Sequence, residues 1–246
     1  NCFSARKRSV LFGYGWGFKR GGGFPRENNT CRAFYPSGLK LIFNLLADDE
    51  LNSTKPELAL VGKPYREISQ ATEIATSTIG WIMADLIQQQ YVIPVSAGHR
   101  MLVNRVSLLE RWVQGYQERL RPSLLLGRYR PVQADWWRDA VLENGLWSGE
   151  TAAALLTQSL KPQTATIFGS LPSHAFVLKH QLQKDAAGTV EFLKPLWPTP
   201  NHKTVKGQCV HPLLIYADLL SIDDDRTREV AKIIYEHHIH PIIKTD

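Results

Sequence analysis

Two segments hold residue types that enzymatic group transfer would need. Residues 168–170 (Phe-Gly-Ser) follow a strand-like run, and a Gly-Ser there could serve nucleotidyl transfer if a nearby Asp-x-Asp pair held Mg²⁺. No such pair follows, because Asp185 stands alone and residues 223–225 are distant and better explained as helix capping. Residues 148–150 (Ser-Gly-Glu) lack a credible His and Asp for nucleophilic catalysis. The sequence therefore predicts no catalytic residue, unless a segment upstream of residue 1 contributes them.

Metal and cofactor chemistry is equally poorly supported. His237 and His240 share a face of the last predicted helix, with His238 beside them, but no third or fourth ligand can be named. The three cysteines are widely spaced and contain no Cys-x-x-Cys pair, which fits neither a thiolate zinc site nor a disulfide framework. We expect no metal and no cofactor.

A cluster of small polar residues suggests nucleic-acid recognition instead. Thr76, Ser77 and Thr78 lie where a helix is predicted to begin, and Trp81 follows one turn later. Hydroxyls both donate and accept hydrogen bonds, and the first N–H groups of a helix have no partner within it. Such a helix start suits base edges and phosphates in a major groove.

Cations and a predicted hairpin tip flank this cluster. Lys63 and Arg66 lie near the start of the preceding helix, and Gly98, His99 and Arg100 lie in the turn between two short extended runs. Arg100 is predicted to contact the DNA backbone or the minor groove. Residues 61–121 carry seven basic and five acidic groups, so the local charge is only weakly favourable.

The elements that position these residues follow the order of a winged helix-turn-helix. Ser37 is suited to cap a first helix, and Pro64 fits the first turn of a second. Thr76 or Ser77 is predicted to cap a third helix that continues through Gln90, with its apolar stripe at Ile79, Ile82, Met83 and Leu86. A hairpin over residues 91–104 and an amphipathic helix complete a DNA-binding domain over residues 37–122.

Residues 123–246 are predicted to form a mixed α+β carboxy-terminal domain, so the fold class of the chain is α+β. Helices are expected around residues 135–144, 150–160 and 212–220, with a final helix after residues 223–225. Strands are expected at residues 164–169, 175–179 and 189–193.

The net charge of +6 comes entirely from residues 1–36, a Gly-rich segment with seven basic groups and one acid. The other residues carry 22 charges of each sign, which excludes a uniformly cationic protein. This segment matches no phosphate-binding glycine motif, so we interpret it as a remnant or linker.

No apolar run approaches the length of a membrane span, and a cytoplasmic location is expected. The chain begins with Asn and without a signal sequence, so its start is expected to be truncated or processed.

A protein-interaction module is the alternative interpretation. Winged domains also dock proteins, Trp81 is as well suited to a dimer or interdomain contact, and Arg66 could simply pair with an acid. Salt-sensitive DNA binding would distinguish the two hypotheses.

The sequence resembles the AbiEi-type antitoxins of bacterial type IV toxin–antitoxin systems over roughly residues 32–240. The likeness is carried by residues 32–43, 64–69, 77–82, 108–113, 118–122, 125–128, 149–156 and 213–220. The resemblance implies a repressor that binds double-stranded DNA at its own promoter through the winged domain. It also implies a carboxy-terminal domain that counters a nucleotidyltransferase-like toxin without necessarily binding it. Binding as a homodimer to repeated half-sites is a further expectation.

Overall fold

The computed structural model of the protein describes residues 32–55, 57–95, 98–142, 144–197 and 208–243. The segment that holds six of the seven amino-terminal cations lies outside the described residues. A 3-10 turn at Arg32–Phe34 precedes the first helix. The elements up to residue 115 are α1 (Pro36–Leu46), α2 (Tyr65–Thr72), α3 (Thr76–Gln88), β1 (Val92–Pro94), β2 (Arg100–Leu102) and α4 (Arg105–Gly115).

The first three helices pack through the apolar positions that the sequence predicts. Ile79, Ile82, Met83 and Leu86 of α3 are all buried, as is Ile68 of α2. A short turn joins α2 to α3 because Glu73 adopts a left-handed conformation (φ 54°) and ends α2. The caps differ from the prediction, since α1 begins at Pro36 with Tyr35 at its N-cap and no side-chain cap. Ser37 therefore does not cap α1.

The predicted hairpin is present but short. β1 and β2 are antiparallel, with Val92 opposite Leu102 and Pro94 opposite Arg100. The Val95 N–H donates to the His99 carbonyl (2.9 Å), and Gly98 turns the chain with φ +79°. A side chain at this φ would be strained, so Gly98 is required by the backbone of the turn.

One helical run connects the hairpin to the rest of the chain. α4 continues through a π-helical turn at Tyr116–Leu120 into α5 (Arg121–Leu124), so the helical run extends past the predicted domain boundary at residue 122. Trp112 is fully buried, stacks on Phe43 of α1 (ring centroids 5.8 Å apart) and donates its indole N–H to the Leu39 carbonyl (2.9 Å). These contacts fix α4 against α1.

A five-stranded sheet forms the centre of the remaining chain. The elements are β3 (Leu125–Pro131), β4 (Gly145–Ser148), α6 (Gly149–Thr157), β5 (Ala165–Gly169), α7 (His174–Lys179), β6 (Leu182–Lys184), β7 (Val190–Leu193), α8 (Pro212–Leu220), α9 (Asp225–Ile234) and α10 (His240–Ile243). The strands lie in the order β4-β5-β7-β3-β6; β5 and β7 are parallel and the other neighbours are antiparallel. Helices α6 and α8 contact the β4–β5 side of the sheet, and α9 packs on both helices.

The α+β class is confirmed, whereas two predicted elements are wrong. Residues 175–179 form helix α7 rather than a strand, because the Ser173 hydroxyl caps the helix by accepting from the Phe176 N–H (3.1 Å). The helix predicted over residues 135–144 is reduced to a 3-10 turn at Trp136–Arg138. Strands β3, β4 and β6 were not predicted.

The buried apolar side chains form one cluster that runs from Ala33 to Ile243. The core is therefore continuous across residue 122. The domain boundaries at residues 36 and 122 stay predictions. Within the described ranges, no helix is both long enough and apolar enough to cross a membrane.

Candidate nucleic-acid interface

The exposed start of α3 leaves its backbone donors without partners in the helix. Ala75 occupies the N-cap and no side chain caps the helix, so the predicted capping role of Thr76 or Ser77 is wrong. The first helical hydrogen bond runs from the Ile79 N–H to the Ala75 carbonyl (3.0 Å). The N–H groups of residues 76–78 thus precede the helical ladder, where the positive end of the helix dipole lies. Thr76 and Ser77 are exposed and Thr78 is half-buried.

Trp81 lies one turn further along α3 and exposes 49% of its surface. The Arg32 guanidinium lies over its indole ring, 5.1 Å from the centroid. Asp85 holds this arrangement, because its carboxylate accepts from the backbone N–H groups of Arg32 (2.6 Å) and Ala33 (3.2 Å). Arg32 is therefore a cation at the α3 surface that sequence reasoning missed.

A groove of about 480 Å³ borders the start of α3. Thr78 lines it together with Lys40 of α1 and Lys194, the residue after β7. Glu73 is an acidic residue of its wall, so the groove is cationic by one charge among the described lining residues. Lys40 and Lys194 are 154 positions apart in sequence, so only the tertiary fold brings them to Thr78.

Arg100 fastens the hairpin to the turn before α2. Its Nε donates to the Val61 carbonyl (3.0 Å) and its Nη2 to the Lys63 carbonyl, while the guanidinium stacks over the Tyr65 ring at 4.6 Å. His99 Nδ1 lies 3.1 Å from the Gly62 carbonyl oxygen. The predicted contact of Arg100 with DNA is untested, and the side chain already has a positioning role within the protein.

The other predicted interface residues surround this attachment. Arg66 is exposed on α2, Lys63 is half-buried, and Gly98 is exposed at the hairpin tip. Burial raises the pKa of the Asp48 carboxyl, and hydrogen bonds from the Leu60 and Glu50 N–H groups and the nearby Lys63 charge oppose that rise. The positive charge of Lys63 is therefore close enough to Asp48 to favour the ionised carboxylate.

The segment at residues 148–150, which was considered for catalysis, has a structural role. Ser148 is fully buried and donates to Asp218 Oδ2 (2.6 Å), while Asp218 Oδ1 accepts from Tyr116 (2.7 Å) and Arg121 (2.9 Å). Burial and the Asp218 charge raise the pKa of the Tyr116 hydroxyl. Burial opposes the charge on Arg121, but Asp218 and Glu191 outweigh it and raise the pKa of the guanidinium. Ser148 thus belongs to a buried hydrogen-bond network.

The histidines near the carboxy terminus are not assembled into a metal site. His237 Nδ1 lies 2.9 Å from the Ile233 carbonyl oxygen, one turn back on the helix. Among the described residues, no three His, Cys, Asp or Glu side chains are grouped so as to hold a metal ion.

A family model described as "Transcriptional regulator, AbiEi antitoxin, Type IV TA system" matches residues 101–240. The matched segment runs from β2 to the first residue of α10, so α1 to α3 precede it. No curated protein and no solved structure matches the chain significantly. The protein belongs to the class of transcriptional regulators. Within that class, it is a member of the family of AbiEi antitoxins of type IV toxin–antitoxin systems.

Proposed function

We propose that the protein is an autoregulating antitoxin that binds double-stranded DNA at its own promoter through a winged helix-turn-helix over residues 37–122. The observation that carries the proposal is the exposed, uncapped start of α3, which presents three hydroxyls and three backbone donors beside Trp81. Its membership of a transcriptional-regulator family supports the same function.

In this proposal α3 enters the major groove with its amino end first. Thr76, Ser77 and Thr78 contact base edges and the nearest phosphate, and Trp81 contacts the groove wall. Arg66 and Lys63 attract the backbone beside α2, and the hairpin tip at Gly98 approaches the backbone or the minor groove. His99 and Arg100 hold that tip in position. We further propose binding as a homodimer, in the bacterial cytoplasm.

Residues 123–246 would carry the antitoxin activity. We propose that they counter a nucleotidyltransferase-like toxin, either by contact or by opposing its effect. A gene for such a toxin beside the gene for this protein would support the assignment. Toxin rescue by residues 123–246, in cells that lack the promoter site, would separate this activity from repression.

Titration of the full chain with labelled DNA from upstream of its own gene tests the DNA-binding proposal. Each lost hydroxyl contact costs about 1 kcal/mol, so Ser77→Ala/Thr78→Ala should weaken specific binding roughly 10- to 30-fold. Ser159→Ala/Ser170→Ala removes two hydroxyls from exposed positions outside the proposed interface and should leave affinity unchanged. Unchanged affinity in both double variants would show that α3 does not read the DNA.

Protein docking is the second candidate, and the composition of α3 favours it. The helix carries no Lys or Arg between Thr76 and Gln88, and its exposed Trp81 is typical of a protein interface. Under this hypothesis the chain would form a stable complex with a protein. Its affinity for promoter DNA would equal its affinity for random duplex and would change with salt in the same way. A promoter affinity that exceeds random duplex at every salt concentration would exclude it.

A further inference from the structure

A groove of about 630 Å³ lies at one end of the five-stranded sheet. Its walls are the end of β3, the turn at Trp136–Arg138, the loop before β5, and Arg226 of α9. Residues 76–81, Lys63 and Arg66 do not line it, so it is separate from the proposed DNA surface. Its volume falls in the range of roughly 300–1,000 Å³ that is typical of small-molecule sites.

Three cations line this groove, and none of the lining residues that the structure describes is acidic. Arg226 is held rigidly, because its Nη2 donates to Glu150 (2.9 Å), its Nη1 to the Lys161 carbonyl (2.8 Å) and its Nε to Asp224 (3.2 Å). Arg130 pairs through Nε with Asp185 (2.6 Å) and keeps 59% of its side chain exposed. Lys161 is exposed at the edge. The acids that pair with Arg226 and Arg130 are not among the lining residues, so the groove wall itself carries the cations and not their acidic partners.

The backbone of the loop that carries Lys161 is held in place by a buried carboxylate, that of Glu150. Glu150 is 1% exposed, and its Oε2 accepts from the backbone N–H groups of Gln163 and Thr164 (3.0 Å for Thr164). The same carboxylate binds Arg226 through Oε1. A buried carboxylate therefore holds one wall of the groove in a single geometry before any ligand arrives, which reduces the entropy cost of binding.

The opposite wall is aromatic. Trp136 is buried against Trp147 and Phe176, with ring centroids 5.8 and 6.2 Å away, whereas Trp137 is half-buried. The Trp137 indole N–H is buried and has no hydrogen-bond partner among the described residues. No hydrogen bond therefore has to break when this indole turns to meet a ligand. Val132, 60% exposed, adds apolar surface to the same wall.

We propose that this groove binds a nucleoside phosphate, with the base against Trp137 and Val132 and the phosphate on Lys161, Arg130 and Arg226. A planar ring gains from stacking on an indole, and guanidinium and ammonium groups form strong charge-assisted hydrogen bonds to phosphate. The exposed side chains of Gln163 and Thr189 also line the groove and supply the amide and hydroxyl that a base edge needs. The groove thus presents stacking, anion and base-edge groups together.

Calorimetric titration of the full chain with AMP, GMP, CMP and UMP tests the proposal, with adenosine, guanosine and inorganic phosphate as partial ligands. At least one nucleotide should bind saturably with a Kd below about 1 mM, and more tightly than its nucleoside or phosphate alone. Lys161→Ala should weaken the nucleotide at least about tenfold and leave nucleoside binding unchanged. Trp137→Ala should weaken both ligands, and Trp137→Phe should restore most of the loss because it retains a ring.

The control variant is Lys179→Ala, which removes an exposed lysine of α7 that does not line the groove. It should bind nucleotide normally, and Lys161→Ala should bind promoter DNA normally, which keeps this test independent of the proposed function. Circular dichroism and thermal melting establish that each variant is folded. Three results would overturn the proposal: no saturable nucleotide binding, phosphate binding as tight as nucleotide binding, or tighter binding of a single-stranded oligonucleotide than of any mononucleotide.

Discussion

Two substitutions of Asp218 show how much of the stability of the buried Ser148–Asp218–Tyr116 network comes from its negative charge and how much from its hydrogen bonds. In Asp218→Asn the remaining oxygen can still accept from Tyr116 and Arg121, and the Ser148 hydroxyl can turn to accept from the new amide. Only the negative charge is lost. Arg121 keeps Glu191 at 2.6 Å and its side chain is 19% exposed, so we expect a loss of about 2 kcal/mol, below the 3–5 typical of a broken buried pair.

Asp218→Ala removes the acceptor altogether. Three donors then lose their partner, two of them from fully buried side chains, and each unsatisfied group costs about 1–3 kcal/mol. The expected loss is about 4 kcal/mol or more. Ser148→Ala removes one donor from an acceptor that keeps two others, and it should cost only about 1 kcal/mol.

Urea unfolding of the full chain, followed by far-ultraviolet circular dichroism, measures these losses as shifts in midpoint at constant m-value. The matched control is Asp223→Asn, which changes a carboxylate that is 95% exposed and should leave the midpoint unchanged. If Asp218→Asn and Asp218→Ala lower the stability equally, the charge rather than the hydrogen bonds holds the network. A loss below about 1 kcal/mol for Asp218→Ala would refute the network as a stabilising element.

Four further outcomes follow from the same contacts. Arg100→Met and Arg100→Lys should lower promoter affinity equally, because both lose the paired carbonyl contacts; full affinity in the Lys variant would instead indicate a direct phosphate contact. Lys194→Ala should reduce the slope of log Kd against log salt by about 1, and Lys161→Ala should not change it. Burial lowers the pKa of the His180 imidazole below its usual value of about 6.5. The contribution of this group to folding stability is therefore full above that pH and is lost as the pH falls, because the unfolded chain binds the proton more readily than the folded one. In thermal melts, His180→Leu should lose this pH dependence. Removal of residues 1–31 should weaken binding to random duplex, measured against salt, far more than it weakens promoter preference.

Elements with a strong local pattern were predicted correctly from the sequence. The buried stripe of α3 follows helical spacing, and the strand predicted at residues 164–169 corresponds to β5, Ala165–Gly169, whose residues are all buried. Helix α7 was missed because none of its residues is buried, so no stripe exists to reveal its period. Strand β3 was missed because none of its residues is buried, and because it contains Gly127 and ends at Pro131. Period-based prediction therefore failed where burial does not distinguish the two faces of an element.

The contacts of individual side chains were harder to predict from the sequence than the helices and strands. The sequence places Arg100 at a hairpin tip, where an exposed cation is expected, but its guanidinium reaches carbonyls almost 40 positions earlier. Likewise Arg32 precedes α1 in sequence and yet lies over Trp81 of α3. Both contacts depend on tertiary packing between segments that share no local pattern. The exposure of Trp81, in contrast, follows from local sequence, because the residue lies opposite the apolar stripe of α3.

The surface that surrounds the start of α3 does not come from residues 37–122 alone. Lys194 lines the groove beside Thr78 from the far side of the predicted boundary, and Trp197 lies 6.3 Å from Phe43 of α1 by ring centroid. A fragment of residues 37–122 would lack that lysine and would expose part of the apolar surface of α1 to water, at a cost of about 25 cal/mol per Å². The segment after β7 thus supplies both a cation beside the start of α3 and a packing partner for α1, so the proposed DNA-binding surface depends on the carboxy-terminal region. We therefore expect a change in that region to alter the proposed DNA-binding surface through Lys194 and Trp197, without a contact of its own with DNA.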